Sequence, residues 1–130
     1  YEPILLGSAG TLRKNRDFVA GENNFLICYA DNLTNADLTA LAAFHKKLNP
    51  VLTMGLFHTN NPTGCGIAIV DKNNIVTEFI EKPEHPKSNL ANAGIYVASQ
   101  SLFNFIPNHN GEIDIGTMQN YHKAQEEWKK

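Results

Sequence analysis

The sequence has little of what marks several common protein classes. Its 130 residues include only two cysteines, Cys28 and Cys65. Two isolated thiols exclude a disulfide framework, and their apolar flanks predict reduced, buried side chains. Lys and Arg number 11 against 13 Asp and Glu, a net charge of -2. There is no basic excess to follow a nucleic-acid backbone and no cationic cluster for a membrane surface, so neither partner is expected. No apolar run nears the roughly 20 residues that span a bilayer. Five histidines fall at positions 45, 58, 85, 109 and 122. None has a neighbour at metal-ligand spacing, so no zinc site is expected. No signal peptide is visible, and the two reduced thiols suit a cytosolic protein, so a cytoplasmic location is expected. The chain opens on Tyr1 rather than Met, and a missing start is expected.

What remains is a globular composition, 42% hydrophobic and 18% charged, at the usual size of one domain. Leu5 to Arg13 is small and Gly-rich and reads as a tight turn leading to a helix. Phe25 to Ala30 (FLICYA) is a short apolar run, suited to a strand buried on both faces, and it stops at Asp31-Asn32. Thr34 with Asp37 resembles a capping box. The stretch that follows, to Leu48, puts Leu38, Leu41, Ala42 and Phe44 on one helical face, and Asn49-Pro50 ends it.

Val51 to Phe57 is a second strand-like run. Gly66 to Val70 and Ile75 to Ile80 flank Asp71-Lys72-Asn73-Asn74, which predicts a hairpin. A polar loop with two prolines covers Glu81 to Asn89, and Ala93 to Ala98 is another strand. Ser99 or Ser101 caps a short helix closed by Pro107, and Thr117 caps a last helix to Lys130. This order of elements predicts an α/β fold with a mixed sheet.

Four places carry groups able to do chemistry. Asp31 follows a buried strand, where open α/β sheets bind ligands. It could hold a divalent cation against phosphate oxygens or merely turn the chain. Glu81 could accept from sugar hydroxyls, and Lys82 could meet a phosphate. Successive strand side chains oppose each other, so both reach one ligand only through a bend, expected at Pro83. An ordinary charged turn is the plainer reading. Asn92 carries an amide able to donate and accept. Gly94 and Gly66 sit in strand patterns, which suits close approach of a ligand or a bulge. Asp114, ahead of the last helix, could cap it or bind a metal.

Together these stretches resemble one family, the sugar-1-phosphate nucleotidyltransferases, most closely those acting on mannose-type sugars with GTP. The matching segments are LGSAGTL (6–12), YADNL (29–33), GCGIAIVD (64–71), FIEKP (79–83), NAGIYV (92–97) and DIGTMQNYHKAQEEW (114–128). The resemblance implies a Rossmann-like nucleotidyltransferase domain with a mixed, mainly parallel sheet. It also implies nucleotidyl transfer from an NTP, GTP first among them, to a mannose- or heptose-type sugar-1-phosphate, with release of pyrophosphate.

The roles come by position. Gly7, Gly10 and Glu2 match nucleotide-binding positions. Asp31 and Asp114, 83 residues apart, match the carboxylates that bind Mg2+. Gly66, Glu81, Asn92 and Gly94 match sugar-binding positions, and Lys82 matches the lysine on the sugar phosphate. Asp31, Lys82 and Asp114 are thus the expected catalytic set. Ala30 stands where the family usually has Gly. Family members often form dimers or higher oligomers, and no surface in the sequence tells which.

Two departures qualify the match. The family's N-terminal Gly-rich loop, with its catalytic arginine, would precede Tyr1. Only six residues (NHNGEI) separate Pro107 from Asp114, where the family has a helix and a strand. Residues 1–130 are therefore expected to form a single domain, incomplete at its N-terminus and between 107 and 114. On its own such a chain is expected to be inactive. The competing readings are a non-catalytic sugar-nucleotide-binding or regulatory relative and, more remotely, an unrelated α/β module.

Overall fold

The structure, a computed structural model, describes residues 6–106. They fall into two compact units, one formed by Asn24–Ser99 and one holding the described residues before and after it. Glu2, Asp114, the 107–114 segment and the helix expected from Thr117 lie outside the described residues.

The unit Asn24–Ser99 is a five-stranded sheet with one helix on it. Its strands are β1 (Asn24–Cys28), β2 (Leu52–His58), β3 (Gly66–Val70), β4 (Val76–Glu81) and β5 (Leu90–Ser99). β5 is the centre. β2 runs antiparallel along nearly all of one edge of it, from Leu90 to Ala98. A strand has two edges, so β1 and β3 share the other, β1 against Ile95–Ser99 and β3 at Ala91. β4 closes the far side as a hairpin with β3.

β1, β2 and β3 thus point one way and β4 and β5 the other. The α/β class holds, but every ladder among the described residues is antiparallel, where the resemblance implied a mainly parallel sheet. The parallel pair β1 and β2 is separated by β5, which inserts between them.

The core gathers on β5 and its neighbours: Phe25, Ile67, Ala91, Ile95, Val97 and Ala98 are buried. Each large aliphatic or aromatic side chain removed from water there contributes about 1.5–3 kcal/mol. The helix α2 (Leu38–Leu48) packs on the sheet through His45, which is fully buried. Its Nδ1 lies 2.8 Å from the Thr53 hydroxyl and its Nε2 3.0 Å from Asn24 Oδ1. Asn24 Oδ1 can only accept, so Nε2 carries the proton and Nδ1 accepts from Thr53. One neutral imidazole therefore ties α2 to β2 and β1. Burial lowers its pKa from the ordinary 6.5.

Several local expectations need correction. The α2 cap is Asp37, whose side chain accepts from the Ala40 amide; Thr34 instead accepts from Ala36, two residues on. Phe44 lies on the exposed side of the helix. A hydrophobic count could not see His45 as the buried residue, because its two ring nitrogens are satisfied only by other elements. Cys28 is exposed and Cys65 half-buried, both free. Cys28 ends its strand, so its side chain leaves the sheet's cover.

The hairpin turn forms as expected. Asp71 Oδ1 accepts from the amides of Asn73 and Ile75, both at 2.9 Å, and Asn74 takes the left-handed conformation.

In the other unit, the Gly-rich segment is helical from Gly7, α1 (Gly7–Lys14). Gly7 has φ +64, and a Cβ on Gly10 would come within 2.8 Å of Leu6 Cβ. Arg13 Nη1 donates to the Ile106 carbonyl at 2.6 Å and to that of Phe103 at 3.3 Å. It ties α1 to the 3-10 helix Gln100–Asn104 and the residues just after it, where a short capped helix was expected.

Candidate active site

The site is built where β5 is irregular. Between the Met54–Tyr96 and Leu56–Asn92 pairs, β5 carries three residues against one on β2. The extra length is a bulge, made possible by Gly94 at φ +64. On the other edge of β5, β1 ends opposite Ile95 and β3 starts near Ala91. The strand ends diverge, and Asn92, Ala93 and Gly94 line the gap between them.

The turn after β1 fills that gap. The Tyr29 amide donates to the Gly94 carbonyl at 2.9 Å, and the Asn32 amide closes the turn on the Tyr29 carbonyl at 3.2 Å. Asn32 Nδ2 donates to Ala93 O at 2.7 Å and to Gly94 O at 3.3 Å. Asp31 sits at the tip of this turn, exposed.

Asn92 is held from two sides. Its Oδ1 accepts from the Gly94 amide at 2.9 Å, and its Nδ2 donates to the Tyr96 hydroxyl at 2.6 Å. Its orientation is set, with one N–H and one lone pair left over. The Tyr96 ring lies 6.1 Å from that of Tyr29, tilted by 58°. The Tyr96 pKa is pushed up to about 12, first by burial. The hydrogen bond with Tyr29 and the nearby Tyr29 and Glu81 charges add to the rise, while the bond from Asn92 opposes it. Tyr96 is therefore a neutral hydroxyl at any physiological pH.

Glu81 arrives from the neighbouring hairpin, paired with Gly66. One step along from the Ile67–Ala91 pair brings Gly66 level with Asn92. A Cβ on Gly66 would come within 2.6 Å of Glu81 Oε2 and 2.5 Å of Phe79 Cζ. The bend expected at Pro83 occurs one residue earlier. Lys82 adopts φ +45 while its amide donates to Cys65 O at 3.0 Å. A non-glycine residue in that region is strained, and such strain gathers at functional sites. The bend lets Glu81 and Lys82 escape strict alternation.

Asp31, Gly66, Glu81, Asn92 and Gly94 thus come together around the β5 gap, with Lys82 following Glu81. Gly7 and Gly10 lie in the other unit, and Glu2 and Asp114 lie outside the described residues. Two readings change in detail. The space beside Gly94 is filled by the Tyr29 ring and the Asn32 amide, and that beside Gly66 by Phe79 and Glu81. Both glycines serve the chain's own packing. Tyr29, Asn32 and Tyr96 were not singled out in the sequence, although Tyr29 and Asn32 flank Asp31 and Tyr96 lies in the same strand as Asn92.

Among the described residues, no three His, Cys, Asp or Glu side chains converge as a metal cage. No helix among them is long and apolar enough to cross a membrane.

The chain matches the Nucleotidyl transferase family over residues 1–130 and belongs to it. It is 34% identical over 114 residues to the low-salt glycan biosynthesis nucleotidyltransferase Agl11 of Haloferax volcanii, covering 85% of this chain and 32% of that protein. It is 32% identical over 105 residues to a Sulfolobus acidocaldarius protein provisionally named a mannose-1-phosphate guanyltransferase, covering 81% and 29%. A Bacillus anthracis crystal structure, provisionally named a glucose-1-phosphate thymidylyltransferase and in complex with a sucrose, superposes with a TM-score of 0.74. That pair is 25% identical, over 96% of this chain and 51% of the other. The chain spans about a third of the length of these two curated relatives and about half of the solved one.

Proposed function

We propose that the protein transfers a nucleotidyl group from an NTP to a sugar-1-phosphate, giving an NDP-sugar and pyrophosphate, with GTP and a mannose- or heptose-type sugar phosphate as the preferred pair. The observation that supports this reading is the gap in β5, where the Asp31 turn and the fixed Asn92 amide lie beside Glu81, with Lys82 next along the chain. The reaction joins two anions, so positioning and neutralisation of charge matter more than covalent chemistry.

In this reading Glu81 accepts from sugar hydroxyls, and Asn92 offers its remaining N–H and lone pair. Gly66 and Gly94 shape the sugar-binding backbone. Lys82 meets the sugar phosphate as a point charge. Gly7, Gly10 and Glu2 contact the nucleotide.

Asp31 suits a Mg2+ ion in kind. Magnesium favours hard oxygen ligands and keeps several waters, so one or two carboxylates beside substrate phosphates suffice. Asp31, together with Asp114, would hold it, and the ion when bound offsets charge on the α-phosphate. The single domain, and self-association into a homo-oligomer, belong to this reading as well.

The test is a pyrophosphate-release screen of the full-length protein over NTPs and sugar-1-phosphates, with Asp31→Asn alongside. The variant should lose roughly 100-fold or more in kcat. Metal-independent nucleotide or sugar-phosphate binding without turnover would instead favour a non-catalytic relative.

A further inference from the structure

Asp31 is placed entirely by its backbone: no hydrogen bond or ion pair holds its carboxylate among the described residues. The chain around it is exposed from Tyr29 to Asp37. A carboxylate on such a stretch would sample many positions unless the turn were fastened.

We infer that Asn32 is a positioning residue that sets the direction of the Asp31 carboxylate by fastening its turn to the β5 bulge; this rests on the nucleotidyltransferase reading above. The bulge leaves the carbonyls of Ala93 and Gly94 both facing the gap between β1 and β3. No ladder strand reaches them there. The Asn32 Nδ2 group serves both, at 2.7 and 3.3 Å. Its own amide closes the turn on Tyr29, whose amide in turn binds Gly94 O at 2.9 Å. Asp31 is thereby bracketed by attachments on each side.

Asparagine is the residue this geometry asks for. It carries a donor group on the shortest side chain that has two N–H hydrogens. Aspartate at position 32 would set a negative charge against two carbonyl oxygens. Alanine would leave the Ala93 carbonyl to water and the Gly94 carbonyl to the Tyr29 amide alone, so the turn would be held only by its backbone bonds.

The experiment compares full-length wild type, Asn32→Ala, Asn32→Asp and Asp31→Asn. Two readouts are taken. One is Mn2+ binding by electron paramagnetic resonance, with the NTP that wild type turns over present. The other is kcat and KM for sugar-1-phosphate by pyrophosphate release. Both Asn32 variants should weaken Mn2+ binding by about tenfold. The sugar-1-phosphate KM should stay within about twofold, because the sugar contacts are untouched. Amide exchange at Tyr29–Asn32 should quicken. Should Asn32→Ala fail to fold, Asn32→Ser keeps one short donor and should give the same effect at smaller amplitude.

Mn2+ binding unchanged in both Asn32 variants, with Asp31→Asn inactive, overturns this inference and leaves the nucleotidyltransferase reading standing. Wild type that turns over no NTP and sugar-phosphate pair removes that reading, and the inference falls with it.

Discussion

The Tyr29 ring occupies the space that a side chain on Gly94 would need: a Cβ there would stand 2.8 Å from Tyr29 Cδ2 and 2.8 Å from Asn32 Nδ2. The glycine also holds φ +64. Both facts make position 94 intolerant, and for reasons internal to the chain. Gly94 admits the turn that carries Asp31.

Gly94→Ala should therefore cost about 1–3 kcal/mol in backbone strain alone, read as a lowered urea midpoint. Because the turn must shift, amide exchange at Tyr29 should quicken in the same variant. A stable Gly94→Ala protein with unchanged exchange would mean that the Tyr29 ring yields without effect.

The legible parts of the sequence were those decided within a few residues. The Asp71 turn was legible because Asp71 bonds the amides two and four residues on, a local arrangement. The strand runs and the α2 period were legible for the same reason. Asp31, Glu81 and Asn92 stood out by motif. The β5 bulge was not legible, because register depends on where β2 places Gly55 against Ala93 and Ile95. Nor was the cap at Asp37, since Thr34 and Asp37 both carry a suitable oxygen and only the backbone path chooses. The left-handed Lys82 was hidden because nothing in a lysine suggests φ +45.

His45 predicts a pH dependence. Its folded pKa is lowered by burial, below the ordinary 6.5 of the unfolded chain. Over that window the unfolded state binds the proton more tightly, so stability rises with pH. The contribution is complete above about 6.5 and is lost as pH falls from there toward the folded value. Protonation would also leave Nδ1 facing Thr53 as a donor. Urea midpoints at pH 7.5 and 5.5 should differ more in wild type than in His45→Gln. His45→Gln should also be less stable at pH 7.5 by about 1–3 kcal/mol, through unpaired Thr53 and Asn24. Equal pH slopes would show that other groups govern the dependence.

Lys82 sets strain against chemistry. At φ +45 a lysine is held where glycine would rest without penalty. Lys82→Gly should relieve about 1 kcal/mol and raise the melting temperature. Lys82→Ala keeps the strain and should gain nothing. If Lys82 meets the sugar phosphate, both variants lose the cation and should fall by roughly 100-fold in kcat/KM for the sugar-1-phosphate. A more stable and less active Lys82→Gly would mean that the strained backbone is kept for the charge it carries, a trade of stability for function. A Lys82→Gly protein that is more stable and fully active would remove Lys82 from the reaction. The bend would then serve only to turn the chain from β4 toward Pro83.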